Sequence, residues 1–212
     1  MKITAEKYTH IIWDFNGTLL DDVGSVVKAN NVLLRRRGLK EISGIKEYLN
    51  LVDAPMLDFY QNIGFDFSEE DFVDVANEWS IEYKLAAKDA PLFDGIPACL
   101  EHFRSHGITQ LVLSASEKSL LQAQLKGREI AGYFSEILGL DDFHTIDKTR
   151  ITREWKSRNP NAVPVIIGDT EHDVEMAELL GCDCILKEGG HRNRASLLKH
   201  GVPVISDVKE LF

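Results

Sequence analysis

The chain has 212 residues, a hydrophobic content of 44% and a formal net charge of −10. That length suits one core domain with an insertion better than two domains of about 150 residues each, and no stretch approaches the roughly 18 consecutive apolar residues of a membrane span. The acidic balance, broken only by the short basic run Arg35-Arg36-Arg37, argues against a nucleic-acid partner. Three cysteines in no pattern and an amino-terminal Met1–Lys7 without an apolar stretch predict a reducing, cytoplasmic setting.

The first predicted element is a strand over His10–Trp13, a short apolar run that reads as buried on both faces and ends at Asp14-Phe15-Asn16-Gly17-Thr18. Helical periodicity then runs from Val23 to Leu34 with a stop at Gly38, and continues over Ile42–Leu51, Pro55–Ile63 and Ser68–Ala87. Ser68 is the expected N-cap of the last of these, with Glu69, Glu70 and Asp71 favoured in its first turn by the helix dipole. No strand pattern interrupts this region, so residues 22–88 are expected to form an all-helical cap domain, inserted into a core made of residues 1–21 and 89–212. The Pro/Gly-rich segment Asp89–Pro97 returns the chain to that core, a helix over Ala98–His106 stops at Gly107, and a strand over Gln110–Leu113 runs into Ser114-Ala115-Ser116. Further strands are expected at Glu136–Leu138, Val163–Ile167, Cys184–Leu186 and Val204-Ile205, with a helix over Val174–Leu180. Strands alternating with helices predict βαβ units, hence an α/β fold with a doubly wound parallel sheet.

Ligands of such sheets bind beyond the carboxyl ends of the strands. There the first strand delivers Asp14, the strand ending at Ile167 delivers Gly168-Asp169-Thr170-Glu171-His172-Asp173, and the strand between them in sequence delivers the Ser114 hydroxyl. Lys148, in Thr145-Ile146-Asp147-Lys148-Thr149-Arg150, offers a positive charge. An aspartate at a strand end is a nucleophile or a metal ligand; standing alone, it is as readily a turn or cap residue.

These four motifs, in this order and with a helical insert after the first, resemble the haloacid dehalogenase superfamily of phosphatases over essentially the whole chain, in its phosphoglycolate phosphatase-like branch with an α-helical cap. The resemblance implies a Rossmann-like core and a phosphohydrolase acting on a small phosphorylated metabolite through an aspartyl phosphate on Asp14. It further implies that Ser114 binds a phosphoryl oxygen, that Lys148 balances charge on the phosphate and Asp14, and that Gly17, Thr18 and Ala115 help to cradle the anion. A magnesium ion would be held by Asp14, Asp169, Asp173 and the main-chain carbonyl of Asn16; crowded acids that would otherwise repel one another favour this.

Asn16 is the departure from the family pattern, which has aspartate at that position to protonate the leaving alcohol and then activate water. An amide does neither. The consequence is a slow enzyme, a substrate whose leaving group needs no proton, a different base such as His172, or a phosphate-binding or regulatory protein with negligible turnover. A phosphonate hydrolase, which also lacks that aspartate and uses a cap lysine, is a further alternative, with Lys40 and Lys46 in roughly suitable places. Cys182 and Cys184 read as core thiols, Arg35-Arg36-Arg37 as a solvated face, and Gly189-Gly190-His191-Arg192-Asn193-Arg194 as a segment that reaches the cleft from the core side.

Overall fold

In a computed structural model, which describes residues 2–140 and 148–212, six strands form one parallel sheet in the order β3-β2-β1-β4-β5-β6. The strands are β1 (His10–Trp13), β2 (Thr109–Glu117), β3 (Glu136–Leu140), β4 (Pro164–Gly168), β5 (Asp183–Lys187) and β6 (Val204–Ile205). On the sheet's two faces lie α5 (Ile96–Ser105) and α6 (Lys118–Gly127) against α7 (Lys148–Arg158) and α8 (Glu171–Leu180), with a short α9 (Arg194–Leu197) before β6. The apolar run of β1 shows why. Ile11 and Trp13 pack with Ile96, Leu100, Phe103 and Leu125, whereas Ile12, pointing the other way, packs with Ile151, Trp155 and Val174. Alternate residues of a strand face opposite sides, so a strand covered on both sides needs an apolar residue at every position. The one polar atom this creates is satisfied: buried Trp13 Nε1 donates to Gln110 Oε1 at 3.1 Å, and Gln110 Nε2 donates to the Leu100 carbonyl at 2.8 Å.

Four helices lie between β1 and α5: α1 (Val23–Arg36), α2 (Ile45–Leu51), α3 (Met56–Asn62) and α4 (Phe72–Ala86). They share an apolar cluster of their own, built on Val26, Leu33, Leu34, Tyr48, Phe59 and Tyr60. The chain enters and leaves this helical insert through a short stem. Leu20 bridges Leu92 in antiparallel fashion, the Asp21 N–H donates to the Pro91 carbonyl at 2.9 Å, and the Phe93 N–H donates to the Leu19 carbonyl at 3.0 Å. The Arg128 guanidinium, from the end of α6, donates to the carbonyls of Ala87, Lys88 and Ala90 beside it.

Element boundaries depart from expectation in several places: α2 begins at Ile45 and not Ile42, α8 begins at Glu171 and not Val174, and β3 runs to Leu140 and not Leu138. Asp71, not Ser68, caps α4, its carboxylate accepting from the Val73 N–H at 2.7 Å, while Ser68 closes a turn on Asp66. Helix α5 begins at Ile96 instead of Ala98, because proline fits a first helical turn. Strand β2 continues to Glu117 across an irregularity in its pairing with β3, which leaves Ser114 inside the strand and not after it. The run Thr145–Asp147 ahead of Lys148 lies outside the described residues. Among the described residues no helix is long and apolar enough to cross a membrane.

Lys187 ends β5 nearly buried, its Nζ 3.1 Å from the centroid of the Phe93 ring and donating to the Glu188 carbonyl at 2.8 Å. Burial pulls its pKa down to about 8, against the pull of Asp169 and Asp21.

Two outcomes follow for stability. Asp71→Ala should cost about 1 kcal/mol in urea unfolding and Ser68→Ala under about 0.5 kcal/mol. Because the folded-state pKa of Lys187 lies below the ordinary lysine value of about 10.4, stability from this group rises with pH from about 8 up to that value. Lys187→Met should remove that rise, read as the difference between variant and parent unfolding curves from pH 7 to 10.

Candidate active site

Strand register assembles the site. Trp13 pairs with Ile167 across β1 and β4, and the Asp14 N–H donates to the Ile167 carbonyl at 2.9 Å, so Asp14 emerges beside Gly168 with Asp169 one residue beyond. These are the two central strands, at the point where the strand order reverses. Asp173 is brought back by a capping box at the start of α8: its Oδ2 accepts from the Asp169 and Thr170 N–H groups, each at 3.1 Å, and from the Thr170 hydroxyl. Carboxylate oxygens of Asp14, Asp169 and Asp173, all buried, thus lie within 4.8 Å of one another. Lys148, the first residue of α7, places Nζ 2.5 Å from Asp14 Oδ1 and 3.6 Å from Asp173 Oδ1.

Asp169 is held by two further donors, the Thr18 hydroxyl at 3.1 Å and the His191 N–H at 2.6 Å. Two glycines make room for it. A Cβ at Gly17 or at Gly190 would sit 2.2 Å from Asp169 Oδ2, and Gly17 also takes a left-handed φ of +73°.

The electrostatics follow from burial. Removal from water raises the pKa of Asp14, the neighbouring Asp173 and Asp169 raise it further, and Lys148 opposes them. Burial likewise raises that of Asp169. For Lys148 burial works against the charge, but Asp14 and Asp173 hold the ammonium well above the ordinary lysine range. Three buried carboxylates facing one ammonium are a donor set that fits a hard divalent cation, which binds oxygen ligands and offsets their repulsion.

Asn16 has every hydrogen-bonding position of its amide engaged. Nδ2 donates to Asp22 Oδ2 at 2.9 Å and to the Tyr83 hydroxyl at 2.6 Å, while Oδ1 accepts from the hydroxyls of Ser116 at 2.9 Å and Ser114 at 3.4 Å. Asp22, 1% exposed, also accepts from the Gly17 N–H, the Tyr83 hydroxyl and His191 Nε2. Burial works to raise its pKa, but these bonds, with His191 foremost, hold it below the usual carboxylate value.

Asp14, Asn16, Ser114, Lys148, Asp169 and Asp173 therefore come together. Gly17 and Thr18 do so in another way than expected. The Gly17 N–H is taken by Asp22 and the Leu20 carbonyl, and that of Thr18 by the Phe15 carbonyl, because the turn closes on itself. The N–H groups of Phe15 and Asn16, one and two residues past Asp14, have no acceptor among the described residues and are the free donors of the turn. Ala115 is exposed at the rim.

Asp22, Tyr83, Tyr48 and Ser116 were not singled out in the sequence, and His191 only as part of its glycine-led segment. His191 Nδ1 lies 3.1 Å from the Tyr48 hydroxyl while Nε2 lies 3.3 Å from Asp22, so a core residue touches the insert on one side and its stem on the other. The Gly189-Gly190 pair directly after a buried strand was the available signal. His172 is exposed and pairs with Glu175. Lys40 is 88% exposed beside Glu47 and Lys46 is exposed, so neither serves as a buried amine. Arg35, Arg36 and Arg37 are spent on Glu41, Glu70, Glu78 and Glu82. Cys182 and Cys184 are free thiols whose pKa burial pushes up.

The chain is 29% identical over 192 residues to a 5'-nucleotidase of Pseudomonas aeruginosa, covering 87% of this chain and 85% of that protein. It is 25% identical over 187 residues to a phosphoglycolate phosphatase of Aquifex aeolicus, covering 85% of each. Among solved structures, a haloacid dehalogenase-like hydrolase of Streptococcus pneumoniae superposes with a TM-score of 0.82 at 20% identity, covering 97% of both chains. Protein Tyrosine Kinase A of Mycobacterium tuberculosis does so at 0.79 and 22%, again covering 97% of both, so the fold by itself does not fix the chemistry. Residues 11–187 match the model of the haloacid dehalogenase-like hydrolases, and the chain belongs to that family.

Proposed function

We propose that this protein is a magnesium-dependent phosphohydrolase that transfers the phosphoryl group of a small phosphorylated metabolite to Asp14 and then to water. The observation that carries the reading is the convergence of Asp14, Asp169 and Asp173 on one point with Lys148 bonded to Asp14. Phosphoryl transfer asks mainly for in-line positioning and neutralisation of the phosphoryl oxygens. Asp14 Oδ is the nucleophile, the Lys148 ammonium and the Ser114 hydroxyl bind phosphoryl oxygens, and the N–H groups of Phe15 and Asn16 supply the remaining donors. Thr18 and His191 fix the orientation of Asp169.

Magnesium would be held by Asp14, Asp169, Asp173 and the Asn16 main-chain carbonyl, and when bound it offsets the carboxylate repulsion and the charge on the phosphoryl group. The helical insert works as a cap: Tyr48 and Tyr83 reach from it to His191, Asp22 and Asn16, so its closure completes the site and excludes water. Names of relatives that include a 5'-nucleotidase and a phosphoglycolate phosphatase support a phosphoric monoester as the substrate.

The test pairs turnover with metal binding. With magnesium present, the parent should release inorganic phosphate from at least one member of a phosphometabolite panel, and Asp14→Asn should fall to background. Magnesium at about a hundred times its Kd should add roughly 2.7 kcal/mol of stability, seen as a rise in Tm that chelation reverses and Asp169→Ala abolishes. Retained phosphate binding with no turnover of any panel member would favour a binding protein and overturn the enzyme reading.

A further inference from the structure

Helix α5 carries a second group of metal-ligating side chains, of another chemistry than the carboxylates of the cleft. His102 lies in its last turn and His106 at its C-cap, four residues on, a spacing that sets two side chains side by side on one face of a helix. Their rings stack, with centroids 4.1 Å apart and planes 27° from parallel. His106 Nδ1 lies 2.8 Å from the His102 carbonyl. A carbonyl oxygen only accepts, so Nδ1 carries the proton and the lone pair of that ring is on Nε2. Among the described residues no hydrogen bond engages this Nε2, nor either ring nitrogen of His102. His106 is exposed, and His102 is half-buried with the Phe212 ring stacked on its other face at 4.4 Å. Desolvation, His106 and Lys2 together hold the His102 pKa below the ordinary histidine value, which keeps that ring neutral, the form in which imidazole binds a metal.

We infer that His102 and His106 chelate a divalent transition ion of the copper and zinc class at the end of α5, in a site separate from the acidic cluster of the cleft. Two neutral imidazoles suit such ions, whereas magnesium takes oxygen ligands, so the chemistry of the two donor sets divides the metals between them. The hydrogen bond from His106 Nδ1 to a main-chain carbonyl is the contact by which a ligating histidine is usually oriented, and it aims Nε2 away from the helix. Adjacent ligands of an ion with bonds of about 2.0 Å stand about 2.9 Å apart at a right angle. His102, held by no hydrogen bond through its ring, reaches that spacing by turning its ring edge toward His106 Nε2. Water supplies the other positions, because the solvent side of the pair is open. The same two-histidine spacing on one helix face holds zinc in other helices. A bound ion joins the last turn of α5 to its C-cap and fixes the ring on which Phe212 rests.

The experiment adds copper(II) to the full chain, free of any histidine tag, and reads the ion by electron paramagnetic resonance. The first equivalent should show nitrogen hyperfine structure from two imidazoles. His102→Asn and His106→Asn should each lose it and weaken copper binding by at least about tenfold, while Asp169→Ala should leave the signal as it is. Zinc should raise the Tm of the parent more than that of His106→Asn, and magnesium should act on the two alike, since it is bound elsewhere. Hyperfine structure from fewer than two nitrogens, or the same copper affinity in parent and histidine variants, overturns the inference. So does a signal that disappears in Asp169→Ala and persists in His106→Asn, because the ion then lies in the cleft. Each of these outcomes leaves the phosphohydrolase reading untouched.

Discussion

Everything at the carboxyl edge of the sheet answers to one electrostatic problem, the burial of three carboxylates within reach of each other. Removing a charge from water costs several kcal/mol unless partners replace the lost hydration. The surrounding sequence is organised to provide them. Lys148 is delivered at the first turn of α7 to sit on Asp14, the capping box of α8 gives Asp173 three donors, and Thr18 and His191 give Asp169 two. The same need explains the close glycines, because the backbone at residues 17 and 190 can lie against Asp169 only if nothing projects from it. What remains unbalanced after these contacts is negative charge, which is why the donor set suits a divalent ion.

Asn16 looks different in this setting from the way it looks as an isolated departure. Its amide is one half of a pair whose other half is Asp22, with donor matched to carboxylate at 2.9 Å. Aspartate at position 16 would set two carboxylates against each other in a site already rich in them. The asparagine is therefore integrated into its surroundings, with two serine hydroxyls from β2 on one side and Tyr83 from α4 on the other. It also ties the insert to the core. Asn16, Asp22, Tyr83, Tyr48 and His191 form one hydrogen-bonded chain across the two.

Much of this was legible in the sequence because it depends on local pattern. The double-faced burial of β1, the strand and helix alternation after residue 96, and the placement of Asp14, Ser114 and Asp169 near strand ends all follow from short apolar runs bounded by turns. Boundaries were less legible where side-chain chemistry competes locally. Ser68 and Asp71 are both acceptable caps, and the choice falls to Asp71 because Ser68 is already used by Asp66. The amide directions of the Gly17 turn were illegible, since they depend on Asp22 folding back over it. Asp22 and Tyr83 escaped notice, and His191 was marked only as part of its segment, for a related reason: they meet only through the tertiary arrangement of stem, α4 and the loop after β5, and no spacing along the chain records that meeting. Arg35-Arg36-Arg37 read correctly as a surface feature, though their acidic partners are drawn mostly from α4 and the turn before it.

The stem through which the insert joins the sheet has a mechanical corollary. Because Leu19, Leu20 and Asp21 are bonded to Pro91, Leu92 and Phe93, the outgoing and returning crossings are laced into a single ribbon, and Arg128 grips three carbonyls just above it. Two independent tethers would let the four helices tumble over the cleft. A laced ribbon acts as one axle, so any reorientation of the helices relative to the sheet reduces to a swing about a single line.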